Sequence, residues 1–307
     1  MWSYILQRLG HAVFVLVGVS LIVFVTIRLT GDPVMMLLRD GNPSQEDIAE
    51  MRRLLDLDKP LPMQYVSFIS KAITGDFGRS FHYSTPALGL VLERMPATIT
   101  LTLSSMVVAL LVAFPMGIIS AVARGRLLDL GVRLFSLIGI SMPNFWLGII
   151  LIIVFSVRLR WLPVSGNDSW RHLILPSVAL GLSLSGSLTR LLRSSMLDVL
   201  AEDYVRTARA KGLSSRVVLA GHALRNALIP VLTILGLQFG LLLGGAVIVE
   251  NVFSWPGVGR LVVNSIGARD YPVVQAAVIF LALILLTANL LVDILYTVVD
   301  PRVTLRD

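Results

Sequence analysis

The sequence predicts an all-α chain that crosses a lipid bilayer about six times. Three observations carry this. Of 307 residues, 55% are hydrophobic and only 15% are charged, where soluble domains carry roughly 25% charge. The mean hydropathy is +0.81. Finally, apolar stretches recur that can each cross a hydrocarbon core of about 30 Å, which takes about 20 helical residues. Charge this sparse cannot coat a globule.

The windows run from Leu9 to Leu29, Ala97 to Ala123, Leu134 to Val157, Leu173 to Leu192, Leu228 to Val249 and Val273 to Val299. Arg8 precedes the first, as in a secretory signal, but the run ends in Thr-Ile-Arg-Leu-Thr-Gly-Asp-Pro, without a small-residue cleavage site, and reads as an uncleaved anchor. An even number of crossings puts both termini on one side. One set of short connections holds Arg8, Arg124, Arg126, Arg133, the seven basic residues from Arg190 to Arg225, and Arg302 and Arg306; the opposite set holds Arg158, Arg160, Arg171, Arg260 and Arg269. The richer set is expected in the cytoplasm by the positive-inside rule. The segment from Gly31 to Met95 carries seven Lys/Arg and nine Asp/Glu and is long enough to translocate regardless of charge.

A net charge of +7 and a pI near 10.2 do not indicate nucleic acid, since no polar domain gathers the basic residues; loops facing anionic lipid explain them. No cysteine is present, and His11, His82, His172 and His222 are far apart. A disulfide framework or thiolate metal site is thereby excluded, no metal ligand set is proposed, and the redox compartment stays open.

In the outer segment, Gln45 to Leu55 follows Ser44 as an N-cap with Asp47 three residues on, the pattern of a short amphipathic helix. Gly75 to Ser80 reads as a turn. A small extracytoplasmic cap is expected.

The stretch from Asp198 to Pro230 is the most informative. Glu202 and Asp203 open a helical run and Arg206, Arg209 and Lys211 close it, as the helix dipole favours. Gly212 suits a left-handed C-terminal cap, and Ser214 or Ser215 can cap a second helix running on toward Pro230. Thr207, Ala208 and Ala210 keep the first helix slim. These features fit a helix that enters a groove on a partner protein and equally a basic loop lying on lipid headgroups.

Asp203-Tyr-Val-Arg-Thr-Ala-Arg-Ala-Lys-Gly212 resembles the "EAA" coupling loop of ABC importer permeases, in the version of the dipeptide/oligopeptide permease family. Arg206, Thr207 and Ala208 stand where the Glu-Ala-Ala of the general motif would be, a departure that matches this branch, and Gly212 stands at the motif's glycine. Gly75 to Ser80, Leu175 to Gly181, Glu250 to Gly259, Arg269 to Pro272 and Asp300 to Arg302 are similar to the same family in order along the chain. Gly166 to Ser177 looks most like glutathione-type permeases.

The resemblance implies a type I ABC importer permease fold in a bacterial inner membrane. It implies a sister permease as heterodimer partner, two ATPase subunits that hold ATP and magnesium, and an extracytoplasmic substrate-binding protein, with no cofactor on this chain. The implied coupling residues are Asp203, Tyr204, Arg206, Thr207, Ala208, Arg209, Ala210, Lys211 and Gly212. Those implied to face the binding protein are Glu250, Trp255, Pro256, Gly257, Arg269, Asp270 and Tyr271. The expected division is an anchor helix at 1–30, the outer segment at 31–95, the permease domain at 96–300 with its coupling loop at 198–230, and a tail at 301–307. The expected cargo is a short peptide such as a dipeptide or glutathione, with a nickel chelate or an oligosaccharide as alternatives.

Within the crossings, Gly236, Gly240 and Gly244 form one small stripe and Gly181, Ser185 and Thr189 another; helix packing is the plainer account of both, a pore lining the alternative. Ser185, Thr233, Gln238 and Asn289 are candidates for a neutral translocation path, beside Ser183 and Ser187. Asn289, Asp293 and Tyr296 share a face, although Asp293 lies near enough to the inner end to snorkel or pair there. Pro115 and Pro143 are expected to bend their helices, with Asn144 satisfying a freed backbone group.

Lys59, Lys71 and Lys211 are the only lysines and none follows a glycine, so the chain has no P-loop. It lacks HExxH and Gly-x-Ser-x-Gly as well. An enzyme is not expected. A secondary transporter acting alone would show inverted repeats or several midplane charges, and neither is evident.

Overall fold

The computed structural model describes residues 2–29, 34, 38, 44–54 and 56–299. Among these, helix dominates: α1 (Trp2–Leu29), α2 (Gln45–Leu54), α3 (Leu61–Ile73), α4 (Ala87–Val122), α5 (Leu127–Ser141), α6 (Asn144–Leu151), α7 (Arg171–Leu200), α8 (Asp203–Ala210), α9 (Leu224–Val252), α10 (Val258–Gly267) and α11 (Tyr271–Val299). Helix α6 continues into a π-helical segment, Ile152–Arg158. A short turn, Ser215–Val217, passes through a second π segment, Val218–Ala223, into α9. The expected tail at 301–307, the Asp300 to Arg302 motif and the side chains of Asp293 and Tyr296 lie outside the described residues.

Among the described residues, five helices are long and apolar enough to cross a membrane, and a bent pair makes up to six. Each expected window falls on one of them. The bend expected at Pro143 within the third window, Leu134 to Val157, is a sharp break: α5 and α6 meet at 105°. Met142, at φ −82° and ψ 126°, is driven out of the helical region by the Pro143 ring, which also removes an N–H from the helical ladder. Pro115 has a milder outcome, since α4 continues through it.

The chain forms two compact units, one from Met1–Ala97 with Pro256–Leu290 and one built chiefly from Thr98–Trp255. In the first unit the capping box at α2 is complete: Asp47 N–H donates to Ser44 Oγ at 3.1 Å, and Ser44 N–H and Oγ–H donate to Asp47 Oδ2 at 2.9 and 2.8 Å. These bonds hold the exposed Asp47 carboxyl below its usual range. Helix α3, absent from the sequence reading, lies against α1. Arg28 stacks on Phe24 at 3.5 Å and donates to Gln64 Oε1 at 2.8 Å, while Phe24 meets Tyr65 and Phe68 edge-on or tilted.

The core of the second unit is α7. Leu180, Leu188, Leu192 and Met196 are essentially inaccessible. Small residues bring its neighbours close: a Cβ at Gly181 would stand 2.6 Å from the Ser105 carbonyl oxygen of α4, and one at Gly186 2.6 Å from the Ser136 carbonyl oxygen of α5. The Gly181, Ser185, Thr189 stripe is therefore buried helix packing.

Candidate functional site

Helix α8 projects a polar face from an apolar seat. Val205 and Ala208, three residues apart, are buried against Val218 with Val199 and Leu200 packed beside them. Asp203, Tyr204, Arg206, Thr207, Arg209, Ala210 and Lys211 all point outward and are exposed. The helix ends in a Schellman motif, with Gly212 N–H donating to the Arg209 carbonyl at 2.9 Å and Leu213 N–H to that of Ala208 at 3.3 Å. Gly212 sits at φ +82° with no atom near the place of a Cβ. Its requirement is thus conformational and not steric. Asn226 Nδ2 donates to the Tyr204 hydroxyl at 2.7 Å, fastening α8 to the helix after the turn. Eight of the nine expected coupling residues share this outward helix face and its turn; Ala208 faces inward as its seat.

A polar cavity of about 180 Å³ lies between α6, α7 and α9, lined by Asn144, Ser183, Ser187 and Gln238 with Leu180, Leu184 and Leu242. Of the expected path residues, Gln238 lies here. Ser185 does not: it is fully buried and donates to the Leu182 carbonyl at 2.7 Å. Ser183 and Ser187 present hydroxyls to this cavity instead. Thr233 Oγ1 donates to the Ile229 carbonyl of its own helix at 3.1 Å. Asn289 belongs to the other unit, half-buried on α11. Asn144 lines the cavity beside the Pro143 break.

Among the residues expected to face a binding protein, four turn inward. Glu250 is 0% exposed, accepts Thr98 Oγ1–H at 2.6 Å, and its carbonyl takes Trp255 N–H at 2.8 Å. Asp270, also 0% exposed, accepts from Ser80 Oγ and from Phe81 N–H at 3.1 Å, so it anchors the Gly75 to Ser80 turn. Trp255 and Tyr271 are each 6% exposed. Buried polar side chains are held by such hydrogen bonds, which tie these motifs into the fold. Arg269, at φ +50°, is exposed. Pro256 and Gly257 border a shallow cavity of about 220 Å³ with Arg94 and Arg260.

One site escaped sequence reasoning. Asp129, 1% exposed on α5, accepts Arg193 Nε and Nη2 at 2.8 and 2.9 Å, Ser120 Oγ at 2.6 Å and Gly125 N–H at 3.0 Å. It binds the end of α4, the following turn, α5 and α7 into one clamp. Its signal was a lone acid inside the apolar run Leu127-Leu-Asp-Leu130, of the kind that requires a buried partner. No three His, Cys, Asp or Glu side chains converge as a metal site among the described residues.

Comparison with known proteins agrees with this architecture. The family described as the binding-protein-dependent transport system inner membrane component matches residues 113–305, and its N-terminal membrane component matches 1–102. Over 305 residues, 99% of both chains, the sequence is 45% identical to the glutathione transport system permease protein GsiC of Escherichia coli strain K12. The GsiC of Salmonella paratyphi A is 46% identical at the same coverage. Among solved structures, the inward-facing MetNI methionine ABC transporter superposes with a TM-score of 0.59 at 18% identity, covering 69% of this chain and 96% of that one. An amino acid ABC transporter superposes at 0.52 and 17% identity, covering 68% and 93%.

Proposed function

This chain belongs to the family of inner-membrane components of binding-protein-dependent transport systems, and on that premise we propose that it carries short peptides, glutathione among them. It is a multi-pass permease subunit of an ABC importer, a transport component and not an enzyme. The observation that carries the cargo is the 45% identity over 99% of both chains to a glutathione transport permease. The cavity supports it: Ser183, Ser187, Asn144 and Gln238 offer neutral hydrogen bonds, which accommodate a zwitterion without holding it as a fixed opposite charge would.

The family works with ATPase and substrate-binding subunits. In our reading the assembly is a heterodimer of this chain with a sister permease, above two ATPase subunits that hold ATP and magnesium and below an extracytoplasmic binding protein. Closure of the ATPase pair pushes on Asp203–Ala210 and swings the crossings between inward-open and outward-open states. In this reading both termini lie in the cytoplasm, which the arginine-rich connections support. Because the chain has no native cysteine, a cysteine at Ser44 or Asn167 is expected to react with an impermeant thiol reagent added outside and one at Ser215 to stay unreacted; the reverse pattern would invert the orientation.

The cargo is tested by uptake of labelled glutathione, dipeptides and nickel in cells with and without this gene, other importers being deleted. Loss of glutathione or dipeptide uptake is expected. Loss of nickel uptake alone would overturn the assignment.

A further inference from the structure

Between α5 and α7 runs a groove of about 290 Å³ whose two ends differ in chemistry. Its apolar wall includes Leu137, 58% exposed, and Ile140, 37% exposed, which face outward from the helix pair where hydrocarbon is the natural neighbour. Arg133, Arg190 and Arg193 border its other end. The acid beside them, Asp129, already takes two N–H groups from Arg193. Arg133 Nε stands 3.6 Å from it, beyond a hydrogen bond, and Arg190 is exposed and makes no ion pair among the described residues. Positive charge is therefore in excess at a helix level where apolar wall gives way to polar rim. Thr189 lines the same groove, and its Oγ1 is the one buried side-chain oxygen without a hydrogen-bond partner among the described residues.

We propose that this groove binds an anionic phospholipid, with an acyl chain along Leu137 and Ile140 and the phosphate held by Arg133 and Arg190. The spacing fits, since Arg133 and Ile140 are two helical turns apart, about 10 Å along the axis, the depth from a phosphate to the upper methylenes of its chain. Guanidinium forks match phosphate oxygens bidentately, and basic pockets between membrane helices select acidic headgroups. The lipid would fasten α5 to α7, the helix that runs on through Leu200 to α8. The inference rests on insertion in the membrane and not on the identity of the cargo.

The test uses the assembled importer, purified into nanodiscs of phosphatidylethanolamine with phosphatidylglycerol and read by native mass spectrometry. The intact complex is expected to retain phosphatidylglycerol in preference to phosphatidylethanolamine. Arg133→Ala and Arg190→Ala are each expected to weaken that retention by about fivefold, while thermal unfolding of the complex stays in place because both side chains are exposed. Leu137→Trp, which obstructs the groove and keeps the charge, is expected to reduce retention too. Unchanged retention in the double arginine variant, or equal retention of the zwitterionic lipid, would overturn the proposal. A photo-crosslinker at position 137 is expected to label phospholipid; labelling of a sister permease in its place would identify the groove as a subunit contact and overturn it as well.

Discussion

Arg193 reaches from α7 to Asp129 of α5 with two parallel hydrogen bonds, Nε at 2.8 Å and Nη2 at 2.9 Å, joining residues 64 positions apart in sequence. The carboxylate is 1% exposed, so the pair acts as a fixed joint between two crossings and not as a surface ion pair. Removing one partner strands a buried charge, which costs about 3–5 kcal/mol. Arg193→Leu alone is expected to lower the thermal unfolding temperature of the purified subunit markedly. Replacing both residues, Asp129→Asn with Arg193→Leu, should cost less than the sum of the single changes. Additive losses in that double-mutant cycle would show that the two side chains do not support one another.

Gly212 holds the turn after α8 by backbone conformation alone. A β-branched residue at φ +82° costs about 1–2 kcal/mol, and asparagine, which tolerates that region, costs less. Gly212→Val is expected to insert normally yet abolish transport and substrate-stimulated ATP hydrolysis in the assembled complex, with Gly212→Asn retaining much of both. Equal activity in the valine and asparagine variants would remove the case for this turn.

The cavity and the packed stripe on α7 separate by phase. Ser183→Leu and Ser187→Leu fill part of a cavity of about 180 Å³ and are expected to slow uptake while leaving basal ATP hydrolysis intact. Ser185→Ala removes a bond within the helix, worth about 1 kcal/mol, and is expected to leave uptake close to the unmodified level. Greater transport loss from the Ser185 change than from the other two would reverse the assignment of faces.

Close approach makes a parallel contrast among glycines. A Cβ on Gly186 would meet the Ser136 carbonyl oxygen at 2.6 Å, whereas one on Gly244 meets nothing within 4 Å. Gly186→Ala forces α5 and α7 apart and is expected to destabilise by about 1–3 kcal/mol, seen as lower yield and unfolding temperature. Gly244→Ala should leave the isolated subunit unharmed.

Much of this was legible in the sequence because the deciding forces are local. Apolar runs of membrane-spanning length, the Ser44 and Asp47 capping pair, and a glycine after Lys211 each specify a conformation within a few residues. What stayed hidden depends on packing at a distance. Helix α3 begins at Leu61 between Pro60 and Pro62, at a first helical turn that proline suits. The Ser183 and Ser187 hydroxyls lie roughly 200° around α7 from Ser185, and only the neighbouring helices decide which side is wet. Glu250 and Asp270 sit in motifs that invite a partner, yet both serve the interior, and nothing near Asp129 in sequence points to Arg193.

In the proposed assembly, α8 is where the ATPase pair pushes. Thr207 is exposed on its outward face, and a cysteine there is the single thiol of the chain. Cross-linking from position 207 in the assembled importer, using a short thiol-to-amine reagent in native membranes, tests this most directly. The expected result is one product joining this chain to an ATPase subunit, with its yield changing when ATP is added. A residue 207 thiol that links only to lipid, or to no protein, while the complex remains assembled and active, would contradict it.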